Sequence, residues 1–187
     1  MQTHGALGIE PKALMDLAGI QEGHRVADLG CGSHGAFVFE AARRIGKSGR
    51  VYAVDIQKRV LEAIASKRKI WPTTGQIELV WSNLEKYGAT TIPAGSLDVA
   101  FLINVLNQSP HHDAILKEAA RLLRPGGVLL VVDWERLDAP FAPKGCCVAS
   151  PDELKQYTQV AHLQCDSSFV SSPYHFGLRF IKQEEVV

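Results

Sequence analysis

Residues 96–103 read SLDVAFLI, and the second half of that run is apolar on both alternations of a strand. A strand with one wet face alternates apolar and polar residues. A strand apolar on both faces belongs in a parallel sheet covered by helices on either side. The surrounding chain repeats the theme. RVADL, GRVYAVD, QIELVW and VLLVVDW are further short apolar runs, each next to a glycine or a glycine-rich turn. Between them, HGAFVFEAARRIG, QKRVLEAIASKRK and HHDAILKEAARLLR carry apolar residues at helical spacing. Pro11 to Ala18 reads as a short leading helix, with proline in its first turn and Gly19 beyond its end. In HHDAILKEAARLLR, Asp113 sits near the start and Arg121 and Arg124 near the end, the signs the helix dipole favours. Alternation of this kind predicts a doubly wound, Rossmann-like α/β sheet.

After Trp134 the rhythm changes. ERLDAPFAPKGCCVASP reads as a long loop. SPDELKQYTQVA is a helix with Ser150 as N-cap and Glu153 three residues on, the pattern of a capping box. LQCDSSFV and HFGLRFIK are then two strands around SSPY, with no helix between them. Such strands pair antiparallel, so the sheet should end on one reversed strand. No linker or repeat divides the 187 residues, and a single domain over 1–187 is expected.

The chain carries 20 Lys plus Arg and 20 Asp plus Glu, a balance that argues against nucleic acid as a partner. Lys58, Arg59, Lys67, Arg68 and Lys69 do crowd one helix, where a solvated face is the simpler reading than an RNA track. The four cysteines, Cys31, Cys146, Cys147 and Cys165, form no C-x-x-C pair, so no zinc or other metal site is expected. MQTHGALGIEPK lacks a basic stretch followed by an apolar one, and no run approaches the length of a membrane span. A reduced, cytoplasmic setting is the expectation.

VADLGCGSHG, residues 26–35, spells G-x-G-x-x-G at the end of the first strand. Ligands of open α/β sheets bind beyond the carboxyl ends of the strands, and glycines there let backbone approach a ligand closely. Asp55, ending the second strand, is placed to accept hydrogen bonds from ribose hydroxyls. Both features suit NAD and other adenosine ligands alike. Asp28 separates them. A carboxylate beside the loop repels a pyrophosphate and attracts an ammonium group. Unit charges ~4 Å apart interact by roughly 4 kcal/mol at an effective dielectric near 20. An adenosine ligand with an α-amino group and no phosphate satisfies both aspartates, and S-adenosylmethionine is such a ligand.

With these residues in view, the sequence resembles the class I S-adenosylmethionine-dependent methyltransferases over nearly its whole length. VADLGCGSHG looks like that family's first motif and VYAVDIQ like its second. VWSNLEKYG, SLDVAFLINVLNQ and EAARLLRPGGVLLVVDW are similar to its later segments. The resemblance implies seven strands in the order 3-2-1-4-5-7-6 with the last antiparallel. It implies a cofactor, S-adenosylmethionine, lined by Asp28, Gly30, Cys31, Gly32, Gly35 and Asn104. Asp55 would take the ribose, Ile56 would lie beside the adenine, and Ser82, Asn83 and Leu84 would flank the adenine amino group. The family often has aspartate in that last segment, where this chain offers Ser82 and Asn83. Within the family, the small ubiquinone/menaquinone and arsenite methyltransferases are most alike; for the latter, the neighbouring Cys146 and Cys147 give weak support.

No N-P-P-Y or D-P-P-Y follows the fourth strand, no P-C-Q occurs, and no tyrosine has a lysine four residues on. Methylation of nucleic-acid adenine or cytosine and short-chain dehydrogenase chemistry are thereby disfavoured. Methyl transfer by direct displacement to a small-molecule acceptor, or to an exposed side chain, is the expected activity. Asn104 and Asn107 are candidates for orienting the acceptor, and His111 and His112 are candidate bases. His34 is a candidate cofactor-side contact, and His175 could face the acceptor or simply pack. The loop from Glu135 to Ser150, with the N-terminal segment, is expected to cover the acceptor. A non-catalytic cofactor-binding module and, less favoured, an NAD-dependent reductase are the alternatives. Nothing in the sequence fixes the oligomeric state.

Overall fold

Alternating strand and helix signals fold as the apolar patterning demands. A computed structural model describes residues 9–71, 76–135, 142, 143, 147 and 150–184. The elements run α1 (Pro11–Ala18), β1 (Arg25–Leu29), α2 (Ala36–Arg44), β2 (Arg50–Asp55), α3 (Lys58–Arg68), β3 (Ile77–Trp81) and β4 (Leu97–Ile103). A 3-10 turn, Leu106–Gln108, follows. Then come α4 (His112–Leu122), β5 (Leu123–Trp134), α5 (Pro151–Val160), β6 (Leu163–Ser172) and β7 (His175–Lys182). One seven-stranded sheet has the order β3-β2-β1-β4-β5-β7-β6. β7 runs antiparallel to both β5 and β6, the reversal expected from the missing helix.

The continuously apolar strand sits where it must. Leu97, Ala100, Phe101 and Leu102 of β4 are fully buried between two layers of helices. Period-two alternation sorts neighbouring residues to opposite faces. Ala100 and Leu102 pack with Leu116 of α4 and Leu154 of α5. Val99 and Phe101 pack with Met15 of α1, Val38 of α2 and Ile64 of α3. Each fully buried aliphatic side chain of this kind is worth about 1.5–3 kcal/mol relative to exposure.

Local signals hold at the helix ends. Gly19 closes α1 in the left-handed conformation at φ 66°. The α5 capping box is reciprocal: Glu153 N–H donates to Ser150 Oγ at 3.2 Å and Ser150 N–H to Glu153 Oε2 at 3.0 Å. One boundary needs correction. α4 stops at Leu122, so Arg124 is not a helix-terminal residue but belongs to β5, where it pairs with Asp98 at 2.7 Å. The β4–β5 register jumps from Leu97↔Leu123 to Val99↔Val128, so the R-P-G-G segment bows out of the ladder. A Cβ on Gly127 would meet Arg124 O at 2.8 Å and Leu97 O at 3.0 Å, which explains the glycine there.

Candidate functional site

β1 delivers the chain to its glycine loop with Asp28 facing the α1–α2 side of the sheet. Gly30 N–H and Cys31 N–H both donate to Val54 O of β2, at 2.8 and 3.0 Å. Gly32 N–H points to Asp55 Oδ2 at 3.3 Å. These amides, the ones a pyrophosphate would need, are therefore committed within the chain. Gly30, at φ 86°, leaves no room for a side chain: a Cβ would lie 2.5 Å from Val105. Gly32, at φ 60°, faces open space instead.

Two cavities meet at Gly30, Gly32 and Gln108. One, of about 270 Å³, is lined by Asp28, Cys31, Phe37, Ile103 and Asn104, with Ile9 and Pro11 from the N-terminal segment. The other, of about 370 Å³, is lined by Asp55, Ile56, Ser82, Asn83 and Leu84. Gly35 and His34 border the first cavity. A larger cavity, about 500 Å³, lies among Lys47, Arg50 and Arg68 at the amino ends of β2 and β3. It is on the wrong edge of the sheet for the glycine loop.

The second cavity is internally tied. Asp55 Oδ1 accepts Gln57 N–H at 2.9 Å, and Asn83 Oδ1 accepts Glu85 N–H at 2.9 Å. Ser82 is buried and shares a hydrogen bond with Thr90 Oγ1 at 3.2 Å. Ile56 stands 54% exposed at the rim, its carbonyl held by the Trp81 indole N–H at 2.8 Å.

The first cavity is different. Asp28 is 2% exposed, and its Oδ2 has no hydrogen-bond partner. Burial, and then the nearby Asp55 charge, push its carboxyl up to about 7. The same causes raise the Cys31 thiol above the usual range. Asn104 sits just past β4 at φ 55°, a left-handed conformation that asparagine tolerates better than most residues. Its N–H donates to Val132 O at 2.8 Å, and its buried Oδ1 is also without a partner. Two buried acceptors lacking donors in one cavity call for a ligand that brings N–H groups and positive charge. The amino-acid end of S-adenosylmethionine, with its ammonium group, fits that requirement.

Other expected residues stand elsewhere. Asn107 does not face the cavity. It is 3% exposed, and its side-chain amide, oriented to donate, reaches Asn104 O at 3.0 Å and Asp133 Oδ1 at 3.2 Å. The reason is the 3-10 turn, which sends the two asparagines to opposite sides. His111 is the exposed N-cap of α4 and lines neither cavity, while His112 Nε2 lies 3.0 Å from Leu106 O. His175 is fully buried in β7, bonded through Nδ1 to Ser172 Oγ at 2.7 Å and packed on Trp134. Burial lowers its pKa to about 4, so it packs as a neutral ring.

Basic residues on α3 serve their own chain: Lys58 lies over the Trp81 ring, Lys67 donates to Ser33 O and His34 O, and Arg68 to Ile77 O. Cys146 and most of the 136–149 loop lie outside the described residues. Cys31, Cys147 and Cys165 are free thiols, and no metal-binding cluster occurs among the described residues.

Sequence reasoning missed Gln108, whose Nε2 donates to Asn104 O at 2.6 Å between the two cavities. Its spacing of four from Asn104 was the available signal. It also missed Asp133, buried at the carboxyl end of β5, although an acid closing an apolar strand had drawn attention at Asp55.

A family model described as a methyltransferase domain matches residues 20–174. The ubiquinone/menaquinone biosynthesis C-methyltransferase UbiE of Hydrogenovibrio crunogenus is 29% identical over 130 residues, covering 70% of this chain and 50% of that protein. This chain thus spans about half the length of the curated relatives it matches. Among solved structures, an S-adenosylmethionine-dependent methyltransferase from Aquifex aeolicus aligns with TM-score 0.80 at 23% identity, over 96% of this chain and 94% of that one. The geranyl diphosphate C-methyltransferase of Streptomyces coelicolor, solved with Mg2+, geranyl diphosphate and S-adenosyl-L-homocysteine, aligns at TM-score 0.75 and 14% identity. It covers 92% of this chain and 79% of that one.

Proposed function

The chain belongs to the methyltransferase domain family, class I of the S-adenosylmethionine-dependent enzymes, and on that premise we propose that it methylates a small-molecule acceptor. The observation that carries this reading is the pair of buried, partnerless acceptors, Asp28 Oδ2 and Asn104 Oδ1, in one cavity. Asp28 holds the ammonium group of the cofactor, Asp55 accepts from its ribose hydroxyls, and Ile56 covers the adenine. Gly30, Cys31, Gly32 and Gly35 form the floor, and Ser82, Asn83 and Leu84 close the nucleoside end.

When bound, S-adenosylmethionine supplies a methyl group on a sulfonium, a leaving group that needs no acid. Phe37, Ile103 and Ile9 supply the apolar lining of the same cavity, and Asn104 would help orient an acceptor towards the methyl group. The acceptor's electron pair would form the new bond to the methyl carbon as the carbon–sulfur pair returned to sulfur. The acceptor's proton, where it has one, leaves to water. His111, outside both cavities, is given no part in this step.

The balanced charge supports a small acceptor over nucleic acid. Among the described residues no helix is long and apolar enough to cross a membrane. We take the chain as one domain and, from its free thiols, as a cytoplasmic protein. The relatives are named for ubiquinone/menaquinone biosynthesis, which makes a quinone-type compound the first to try.

Calorimetry with S-adenosylmethionine, S-adenosylhomocysteine and NAD tests the cofactor; binding of NAD alone would sink the reading. Release of S-adenosylhomocysteine is then measured over a panel of small acceptors that includes menadiol. Tight cofactor binding with silence across the panel would favour a non-catalytic module.

A further inference from the structure

We propose that Asp133 is a positioning residue: its carboxylate tethers the 104–108 segment so that Asn104 and Gln108 face the cofactor cavity. Asp133 closes β5 and is 2% exposed, touching neither cavity. Both of its oxygens are in use as acceptors. Oδ2 takes Asn107 N–H at 3.2 Å, and Oδ1 takes Trp134 N–H at 2.8 Å. The Asn107 side chain bridges Asp133 Oδ1 to the Asn104 carbonyl, and Leu106 N–H also leans on the carboxylate.

The tethered segment starts from an uncommon backbone conformation. Asn104 is left-handed at φ 55°, one of two such non-glycine residues among those described. A single buried carboxylate thus ties down both the turn and its left-handed first residue. Cys147 N–H donates to Asn107 O at 2.9 Å, a further bond to the same asparagine.

A neutral acid does not perform this task. Protonation turns one oxygen into a donor facing N–H donors. Burial pushes the Asp133 carboxyl up to about 6, against its three backbone hydrogen bonds and the charge of His112. The titratable groups facing it among the described residues are few. His112 of α4 favours the carboxylate, and Glu153 of α5 lies beyond His112. His175 of β7, beside Trp134, is held neutral by burial. The backbone hydrogen bonds lower the pKa of the buried carboxyl, so a local opening that breaks them while Asp133 stays buried is favoured as pH falls through about 6. The stability of the whole fold moves the other way and is lost as pH rises through about 6.

This role rests on the methyl-transfer reading for its purpose, while the tether can be tested without cofactor. In the 15N-labelled 187-residue chain, amide exchange at 105–108, corrected for intrinsic rates, should rise ~10-fold from about pH 7.5 to about pH 5. The Asn107 and Trp134 amide shifts should titrate together over that range. In Asp133→Asn, exchange should already be fast at neutral pH and no longer respond to acid. With an acceptor in hand, kcat of the variant should fall ~10²-fold, the scale of a small misplacement, and S-adenosylhomocysteine affinity should fall with it, because Asn104 lines the cofactor cavity. Exchange at 105–108 that ignores both acid and the substitution would overturn the proposal. Should Asp133→Asn not fold, the wild-type pH series decides alone. The expected exchange in a protein that binds no S-adenosylhomocysteine would support the tether and remove the cofactor reading.

Discussion

The two ends of the cleft are built on opposite principles. At the nucleoside end, Asp55, Ser82 and Asn83 already have hydrogen-bond partners within the chain, so a ligand meets a preformed seat. At the methionine end, Asp28 and Asn104 bury acceptors that nothing among the described residues satisfies. An unsatisfied buried acceptor lowers stability by about 1–3 kcal/mol, more if charged. The free protein carries that burden, and a cationic ligand relieves it. One end supplies shape; the other supplies driving force.

The sharpest way to break this contrast is Asp28→Asn. S-adenosylhomocysteine affinity should drop ~10²-fold at neutral pH, the cost of leaving a buried charge unpaired, while adenosine affinity stays near wild type. Thermal melting should show the free variant at least as stable as wild type, because a costly buried carboxylate is gone. Equal losses for both ligands would erase the distinction between the ends.

A pH series sharpens it further. Asp28 in the free protein has its pKa raised to about 7, so below that it is protonated and cannot pair with ammonium. Affinity for S-adenosylhomocysteine should rise by up to ~10-fold per pH unit as pH climbs towards about 7, then level off. The stability of the free fold moves the other way. A folded pKa above the unfolded value means stability present below the unfolded pKa and lost as pH rises through about 7. Calorimetry and melting across pH separate the two; a flat affinity profile would remove Asp28 from the ammonium site.

Asp55→Ala should weaken adenosine and S-adenosylhomocysteine alike by ~5–10-fold, the loss of one charge-assisted hydrogen bond. Unchanged affinity would take Asp55 out of the site. The smallest effect is expected from Trp81→Phe, which keeps the ring and removes the bond to Ile56 O. At this exposed rim a ~2–3-fold loss of adenosine affinity is expected, with methionine-end discrimination intact.

Strand order and the reversed β7 were legible because they follow from apolar periodicity and from a missing crossover helix. The positions of the glycine loop and both aspartates at strand ends beside cavities were legible because apolar runs mark where strands stop. Asn104 and Asn107 show where that stops. They have the same side chain, three residues apart, and an unrecognised 3-10 turn with a left-handed start sends one into the cavity and the other to Asp133. His111 misled for a related reason: nearness in sequence to the fourth strand gave no direction for the side chain. Arg124 passed for a helix end because the bowed ladder segment R-P-G-G has no periodicity of its own.

The reversed strand has a practical corollary. Because β7 pairs Trp134 with His175 and Val128 with Ile181, it starts beside the ligand edge of the sheet and runs towards the opposite one. Polypeptide joined after Lys182 is therefore led away from the cleft. A surface anchor, reporter or partner fused there should leave the approach of both cofactor and acceptor unobstructed.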